Sequence, residues 1–300
     1  MVTLQAPAKL NLSLAVLARR PDGYHEIESL MVPVTLHDTL MIRPRADSGV
    51  LVSVRFGGRL AQAAALARDV PMDDSNLVVR AARLLAGEAG EARGLEIDLV
   101  KEIPSGAGLG GGSSDAAAAL VGAARAWGID WPRPRLADLA ARLGSDVPFF
   151  LERGPAIASG RGEVLEPVTG LPPLFAVIGC PAAGLSTAAV YRGCRPDAAG
   201  RGQAARLAAA LATGDLSAAF ALQHNALEPP ARALSSDVGR LLEALGEAGA
   251  VRPLLTGSGS ACFTLARTEP EARGIAARLE AAGWPGAFAV GVISAPAAVC

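Results

Sequence analysis

Lysine is nearly missing from this chain. Of its 300 residues only Lys9 and Lys101 carry an ammonium side chain, and arginine supplies the remainder of the 28 basic residues. These face 29 acidic residues, so there is no basic excess. A nucleic-acid binder normally shows a basic patch or stripe, and that class is disfavoured. Cysteine is sparse too. Cys180, Cys194, Cys262 and Cys300 contain no CxxC pair, so a zinc site is not indicated and the four read as free thiols of a reducing compartment. No stretch reaches the ~18 consecutive apolar residues of a membrane span. The N-terminal MVTLQAPAKLNLSLAVL lacks the basic region and cleavage site of a secretory leader. The expectation is a soluble, cytoplasmic protein. Tyrosine occurs only at Tyr24 and Tyr191.

What the chain has in quantity is alanine and glycine. Hydrophobic residues make up 51% of it, with runs such as Ala116–Ala119 and Ala208–Ala210. That suffices for a sizeable core and excludes a disordered chain. The length predicts one large or two ordinary domains.

Periodicity gives a coarse map. Leu10, Leu12, Leu14 and Val16 alternate with Lys9, Asn11 and Ser13, predicting a strand over residues 8–16 with unusual polar residues on one face. A turn follows at RRPDG, residues 19–23, and then strands near 28–36, 39–44 and 50–56. Leu77, Val78, Ala81, Leu84 and Leu85 predict a helix over 76–89, before an alternating strand at 95–100. A helix is expected to end near Trp127 and another to span 135–143, stopping at Gly144. The stretch 152–173 is rich in Gly and Pro and is read as containing a domain boundary, dividing the chain into 1–158 and 159–300. Beyond it the pattern predicts strands near 174–179, 253–256, 261–266 and 286–292. Helices are expected near 186–192, 203–212, 215–221, 236–248 and 269–282.

The sharpest local signal is Pro104-Ser-Gly-Ala-Gly-Leu-Gly-Gly-Gly-Ser-Ser114, between a predicted strand and an alanine-rich helix. Glycines let backbone N–H groups approach a ligand without Cβ clashes. A following helix adds unpaired donors and the positive end of its dipole, which together suit phosphate. A Walker loop would end in GK[ST], which is absent; Gly106, Gly108 and Gly111 match GxGxxG, a weak pattern here far from the first strand. Ser113 and Ser114 could cap the helix or bond phosphate oxygens.

Three segments together resemble one family. PAKLNLSLAVLARRPDGYHEIESL (Pro7–Leu30), IPSGAGLGGGSSDAAAAL (Ile103–Leu120) and LGSDVPFFLERGPAIASGRGE (Leu143–Glu163) are similar to the signature regions of the 4-diphosphocytidyl-2-C-methyl-D-erythritol kinases, within the GHMP superfamily of galactokinase, homoserine kinase and mevalonate kinase. DSNLVVRAARLL, HNALEP and TGSGSACF add weaker matches, in order to residue 263. Ala18, Met31 and Ser145 stand where Gly, an aromatic and Ala are usual, and none removes a chemical group. The resemblance implies an α+β, two-domain GHMP kinase fold. Its N-terminal α/β domain would bind nucleotide, its C-terminal α+β domain would be ferredoxin-like, and the active site would lie in the cleft between them. It implies ATP as phosphoryl donor, with Mg²⁺. The acceptor would be the 2-hydroxyl of a cytidine diphosphate methylerythritol on the methylerythritol phosphate route to isoprenoids. No nucleic-acid or membrane partner is implied, and the chain would act as a monomer or weak homodimer. A homoserine or mevalonate type kinase is the competing reading, and a non-catalytic nucleotide-binding regulator a third.

By the same resemblance, Asp146 accepts the proton of the acceptor hydroxyl, with Lys9 as its catalytic partner and Asn11 orienting a hydroxyl. On residues alone, Asp146 could equally cap the turn at Pro148, and Lys9 could be a solvated surface side chain. The resemblance also assigns Tyr24 and Tyr191 to the two faces of the cytosine and His25 to its edge. Asn76 and Leu77 would line the adenosine pocket, with Pro104, Ser105, Gly106, Ala107, Gly108, Leu109, Gly110, Gly111, Gly112, Ser113 and Ser114 holding the phosphates. Asp115 either complements the helix dipole or helps organise the metal. The turn Gly257-Ser258-Gly259 either packs against the site or is only a tight strand connection.

Overall fold

The computed structural model describes residues 1–68, 70–152 and 154–294, so Cys300 lies outside it. The first half runs β1 (Val2–Arg19), β2 (His25–Arg45), β3 (Val50–Phe56), α1 (Leu77–Ala89), β4 (Gly94–Lys101), α2 (Gly111–Trp127), α3 (Arg133–Leu143), β5 (Ala156–Gly160) and β6 (Val164–Pro167). The second runs β7 (Phe175–Gly179), α4 (Thr187–Gly193), α5 (Gln203–Ala212), α6 (Leu216–Leu222), α7 (Glu228–Leu234), α8 (Ser236–Glu247), β8 (Leu254–Leu255), β9 (Cys262–Ala266), α9 (Glu269–Ala281) and β10 (Ala287–Gly291).

The first sheet has six strands and is organised around β2. One edge of β2 pairs with β1 along nearly its whole length. The other edge is shared: β5 pairs with residues 27–31 and β4 with residues 39–45. Helices α1, α2 and α3 cover one face, where Val78, Leu85, Leu120 and Leu139 meet Leu40, Ile42, Ile97 and Leu99. The second sheet is antiparallel in the order β10-β7-β9-β8, the strand order of a split βαββαβ unit. Leu241 and Leu245 of α8 and Ile275 and Leu279 of α9 pack on its back through Val177, Cys262 and Ala287.

A third core joins the halves. Leu10, Leu12, Leu30 and Val32 pack with Ile178, Phe263 and Phe288 of the second sheet and with Leu207 and Leu211 of α5. Residues 8–17 are therefore buried on both faces of β1, polar ones included.

Four expectations change. The strands expected at 28–36 and 39–44 are one strand, β2, because the intervening His37-Asp38 stays extended and Asp38 is buried. The Gly/Pro-rich stretch holds the hairpin β5–β6, which pairs onto β2, so the first sheet continues past residue 158 to Pro167. Helix α7 has no counterpart among the expected helices, since Pro229 and Pro230 discourage one; here they sit in its first turn, where their missing N–H is harmless. Helix α2 starts at Gly111, with Gly110 left-handed at its N-cap and no side-chain cap bond, so neither serine caps it.

Candidate active site in the cleft between the halves

One cleft of about 1160 Å³ opens between the two sheets. Its floor is the loop from Lys101 to Gly111. Gly106, Gly108 and Gly110 have positive φ there. A Cβ on Gly108 would collide with the Thr256 carbonyl oxygen, and one on Gly110 would stand 2.8 Å from Cζ of Phe150. The loop is thus pressed between the Thr256–Gly259 turn and Phe150, and only glycine fits. It is stitched on both sides: the Lys9 N–H donates to the Leu109 carbonyl at 3.0 Å, and the Ala261 N–H to the Ala107 carbonyl at 2.9 Å. The 17-residue helix α2 points its uncapped N-terminus at the cleft, which makes an anion site. Gly106 to Ser113 and Pro104 line the cleft. Ser105 instead gives its carbonyl to the Arg68 guanidinium. Ser114 faces a small cavity behind the helix, its hydroxyl buried and without a partner among the described residues.

Behind the loop lies a buried charge cluster. Lys101 Nζ donates to Asp38 and, at 2.7 Å, to Asp115 Oδ2. Asp38 Oδ1 also accepts the N–H groups of Glu102 and Ile103 at 2.6 and 2.9 Å. The cluster ties β2, the end of β4 and the second turn of α2 together, pinning both ends of the glycine loop. Two carboxylates share one ammonium here. Burial, then the attraction of Lys101 working against it, and then the charge of Asp38 set the Asp115 carboxyl, which is pushed up to about 8. Burial pulls the Lys101 ammonium down, but the two carboxylates outweigh it and raise it above the ordinary value. Asp115 faces away from the cleft, and among the described residues no three acidic, His or Cys side chains form a metal cage.

Lys9 is 3% exposed. Its Nζ donates to Asn11 Oδ1 at 2.5 Å, Asn11 Nδ2 to Ser29 Oγ at 2.7 Å, and Ser29 Oγ to the Ser13 carbonyl at 2.6 Å. Asp146 Oδ2 is 3.9 Å from Lys9 Nζ, and its side chain is 40% exposed to the cleft. Burial depresses the Lys9 ammonium and Asp146 partly restores it. Asp146 makes no cap bond: the turn that follows starts at Val147 with no side-chain cap.

Tyr24, His25 and Tyr191 also line the cleft. The His25 and Tyr191 rings are 5.1 Å apart and tilted by 33°. Burial and the charge of Asp146 push the Tyr191 phenol up, which places Asp146 within electrostatic reach of the aromatic cluster. Leu77 lines the cleft, whereas Asn76 is spent on backbone: its Oδ1 accepts from Val78 N–H at 2.8 Å and its Nδ2 donates to the Pro71 carbonyl at 2.6 Å. It positions Leu77 by capping α1.

Several residues at the site escaped the sequence reading. Asn225 donates to the carbonyls of Leu255 and Gly257 at 2.8 and 2.9 Å, fixing the second glycine turn. Thr256 Oγ1 accepts the Asn11 N–H at 3.0 Å, and Thr187 and Ser258 hydroxyls meet at 2.9 Å. The sequence trace of Asn225 and Thr256 is the HNALEP and TGSGSACF strings, Thr187 lies in neither, and Ser258 belongs to the Gly257–Gly259 turn already singled out. Gly257, Ser258 and Gly259 line the cleft directly.

Known proteins resemble this chain along nearly its whole length. Residues 76–154 match the GHMP kinases N terminal domain and residues 207–285 the GHMP kinases C terminal domain. The 4-diphosphocytidyl-2-C-methyl-D-erythritol kinase of Pelotomaculum thermopropionicum is 43% identical over 279 residues, covering 93% of each chain. That of Rhodopirellula baltica is 45% identical, covering 93% of this chain and 91% of the other. A crystal structure of 4-(cytidine 5'-diphospho)-2C-methyl-D-erythritol kinase superposes with a TM-score of 0.78 at 36% identity, over 98% of this chain and 100% of that one. A homoserine kinase from Cytophaga hutchinsonii shares the fold at a TM-score of 0.74 and 21% identity, over 98% and 95% of the two chains. The chain belongs to the 4-diphosphocytidyl-2-C-methyl-D-erythritol kinase family of the GHMP kinases.

Proposed function

We propose that this protein transfers the γ-phosphoryl group of ATP to the 2-hydroxyl of 4-diphosphocytidyl-2-C-methyl-D-erythritol, giving the 2-phosphate and ADP on the methylerythritol phosphate route to isoprenoid precursors. The observation that carries this reading is that one cleft brings these groups together: Lys9 touches the glycine loop, Asp146 stands 3.9 Å from Lys9, and the His25–Tyr191 pair lines the same cleft. Phosphoryl transfer needs a held nucleotide, an aligned hydroxyl and compensation of developing charge. The loop and the α2 N-terminus hold the phosphates. Asp146 accepts the hydroxyl proton as the oxygen attacks phosphorus and the bond to ADP breaks. Lys9, kept in place by Asn11, stabilises charge on the transferring group. Tyr24 and Tyr191 stack on the base, and His25 reads its edge.

Leu77 and Pro104 line the adenosine end. Mg²⁺ belongs to the nucleotide in this account, arriving on its phosphates. We read the chain as acting as a monomer or weak homodimer. No helix of the described residues is long and apolar enough to cross a membrane, and we place the protein in the cytoplasm. We place the boundary between the two domains after Pro167. The test is turnover with ATP and a panel of acceptors: the cytidine diphosphate methylerythritol is phosphorylated, and phosphorylation of homoserine or mevalonate in its stead refutes the reading.

A further inference from the structure

Asn11 stands beside Lys9 on β1, and its amide has a fixed sense. An ammonium carries three donors and no acceptor, so the Asn11 atom that faces Lys9 Nζ at 2.5 Å is the oxygen Oδ1. The amide nitrogen is turned the other way, toward β2, and donates to Ser29 Oγ at 2.7 Å. Ser29 takes that bond on a lone pair, because its one proton is committed to the Ser13 carbonyl at 2.6 Å. Asn11 lines the cleft, and Ser29, fully buried, stands behind it. The backbone is shaped around this chain of bonds. Pairing of β1 with β2 shifts register between Asn11 and Ser13, so that Asn11 lies opposite Met31 and Ser13 opposite Leu30. Such irregularities re-aim side chains and recur beside active sites. Here the Leu30 N–H donates to Ser13 Oγ at 3.3 Å, and the Ser13 carbonyl takes the Ser29 hydroxyl.

We propose that Ser29 is a positioning residue for phosphoryl transfer: it holds the Asn11 amide with its oxygen on Lys9, and so keeps the Lys9 ammonium in place in the cleft. This rests on the reading of Lys9 as the cation that stabilises the transferring group. Without the Ser29 hydroxyl, the amide loses the partner that sets its sense. It is then free to turn over and present Nδ2 to the ammonium, donor against donor, and a buried cation deprived of an acceptor is costly. The Asn11 oxygen matters because little else around the ammonium replaces it. Asp146, from the segment after α3, is 3.9 Å away. Gly110 of the glycine loop and Gly257 of the second glycine turn close on the Lys9 side chain and bring only backbone. The uncapped N-terminus of α2, which starts beyond Gly110, brings partial positive charge. Among the described residues, Asp146 is the one charged group that offsets the burial of Lys9.

The test is kcat together with the alkaline limb of the kcat/KM profile. Ser29→Ala should lower kcat about tenfold, leave the ATP KM within about twofold, and move the limb down by about half a pH unit, since an ammonium that loses its acceptor releases its proton more readily. Ser29→Thr keeps the hydroxyl and should hold the limb where it was. The limb is read from active molecules alone, so a loss of folded protein does not displace it. A serine that only completed the β1–β2 pairing would lower the unfolding midpoint on replacement and leave the limb unmoved. That result overturns the inference, as does a Ser29→Thr protein displaced as far as the Ser29→Ala one. Lys9→Arg separates the two readings: if it leaves the limb in place, the assignment of Lys9 itself falls, and the inference with it.

Discussion

Lys9 and Asp146 show how much one side chain's surroundings decide. A lysine on a strand is ordinarily solvated, yet Lys9 is 3% exposed and its ammonium is depressed by burial. It is protonated, and able to stabilise phosphoryl charge, only below its own pKa. Rate is therefore lost as pH rises through a value below the ordinary lysine value of 10.5. The kcat/KM profile of the free enzyme should show that alkaline limb, and Lys9→Arg should move it upward, because a guanidinium does not titrate in this range. An unshifted limb would assign it to another group. Asp146→Asn should lower kcat by about 100-fold or more while leaving the ATP KM nearly intact, because general-base assistance is commonly worth that much. Both residues were singled out by the family resemblance; on residues alone each had an ordinary structural alternative, which only the burial of Lys9 and the missing cap at Val147 remove. Asp38, Asn225 and Thr256 were not singled out. Their partners lie 63, 30 and 245 residues away, and no local pattern encodes such a contact.

Among the elements, the glycine loop is fixed by what lies behind it. The Lys101–Asp38–Asp115 cluster holds both its ends, and its three members are unequal. Asp38 accepts the Lys101 ammonium and two backbone N–H groups, whereas Asp115 accepts only the ammonium. Asp38→Asn should cost about 3 kcal/mol or more in urea unfolding, because it leaves a buried ammonium poorly compensated. Asp115→Asn imitates a protonated carboxyl and should cost less than about 1 kcal/mol at neutral pH. The sign of its pH effect follows. Unfolded Asp115 releases its proton near 3.8 and the folded carboxyl near 8, so between these the folded state binds more protons and this group's stabilisation declines as pH rises. The Asn variant should lack that slope, and identical slopes in both proteins would contradict the assignment. The strands and helices themselves were largely legible from periodicity. The exceptions have physical causes. The hairpin β5–β6 is built largely of Ala, Ser, Gly and Pro, which carry little alternation, and β2 continues through Asp38 because Lys101 pairs it.

At the level of the whole molecule, the halves are joined by a common core around β1 and β2, and the cleft exists because that core sets one sheet against the other. Leu10 is fully buried in it. Leu10→Ala should cost about 3 kcal/mol, read as a lower midpoint of a single unfolding transition. Two separated transitions would show that the halves fold independently. The two-domain plan was visible in the sequence as strands and helices on both sides of a Gly/Pro-rich stretch. That the hairpin β5–β6 joins the first sheet was not, because composition does not reveal which sheet a hairpin joins. The most direct test of the central claim is a product assay. With ATP and 4-diphosphocytidyl-2-C-methyl-D-erythritol, ³¹P NMR should show ADP and a new phosphomonoester on the 2-hydroxyl, formed at a rate that collapses in Asp146→Asn. ATP consumption without that phosphomonoester, or its undiminished formation by the Asp146→Asn protein, would contradict the account.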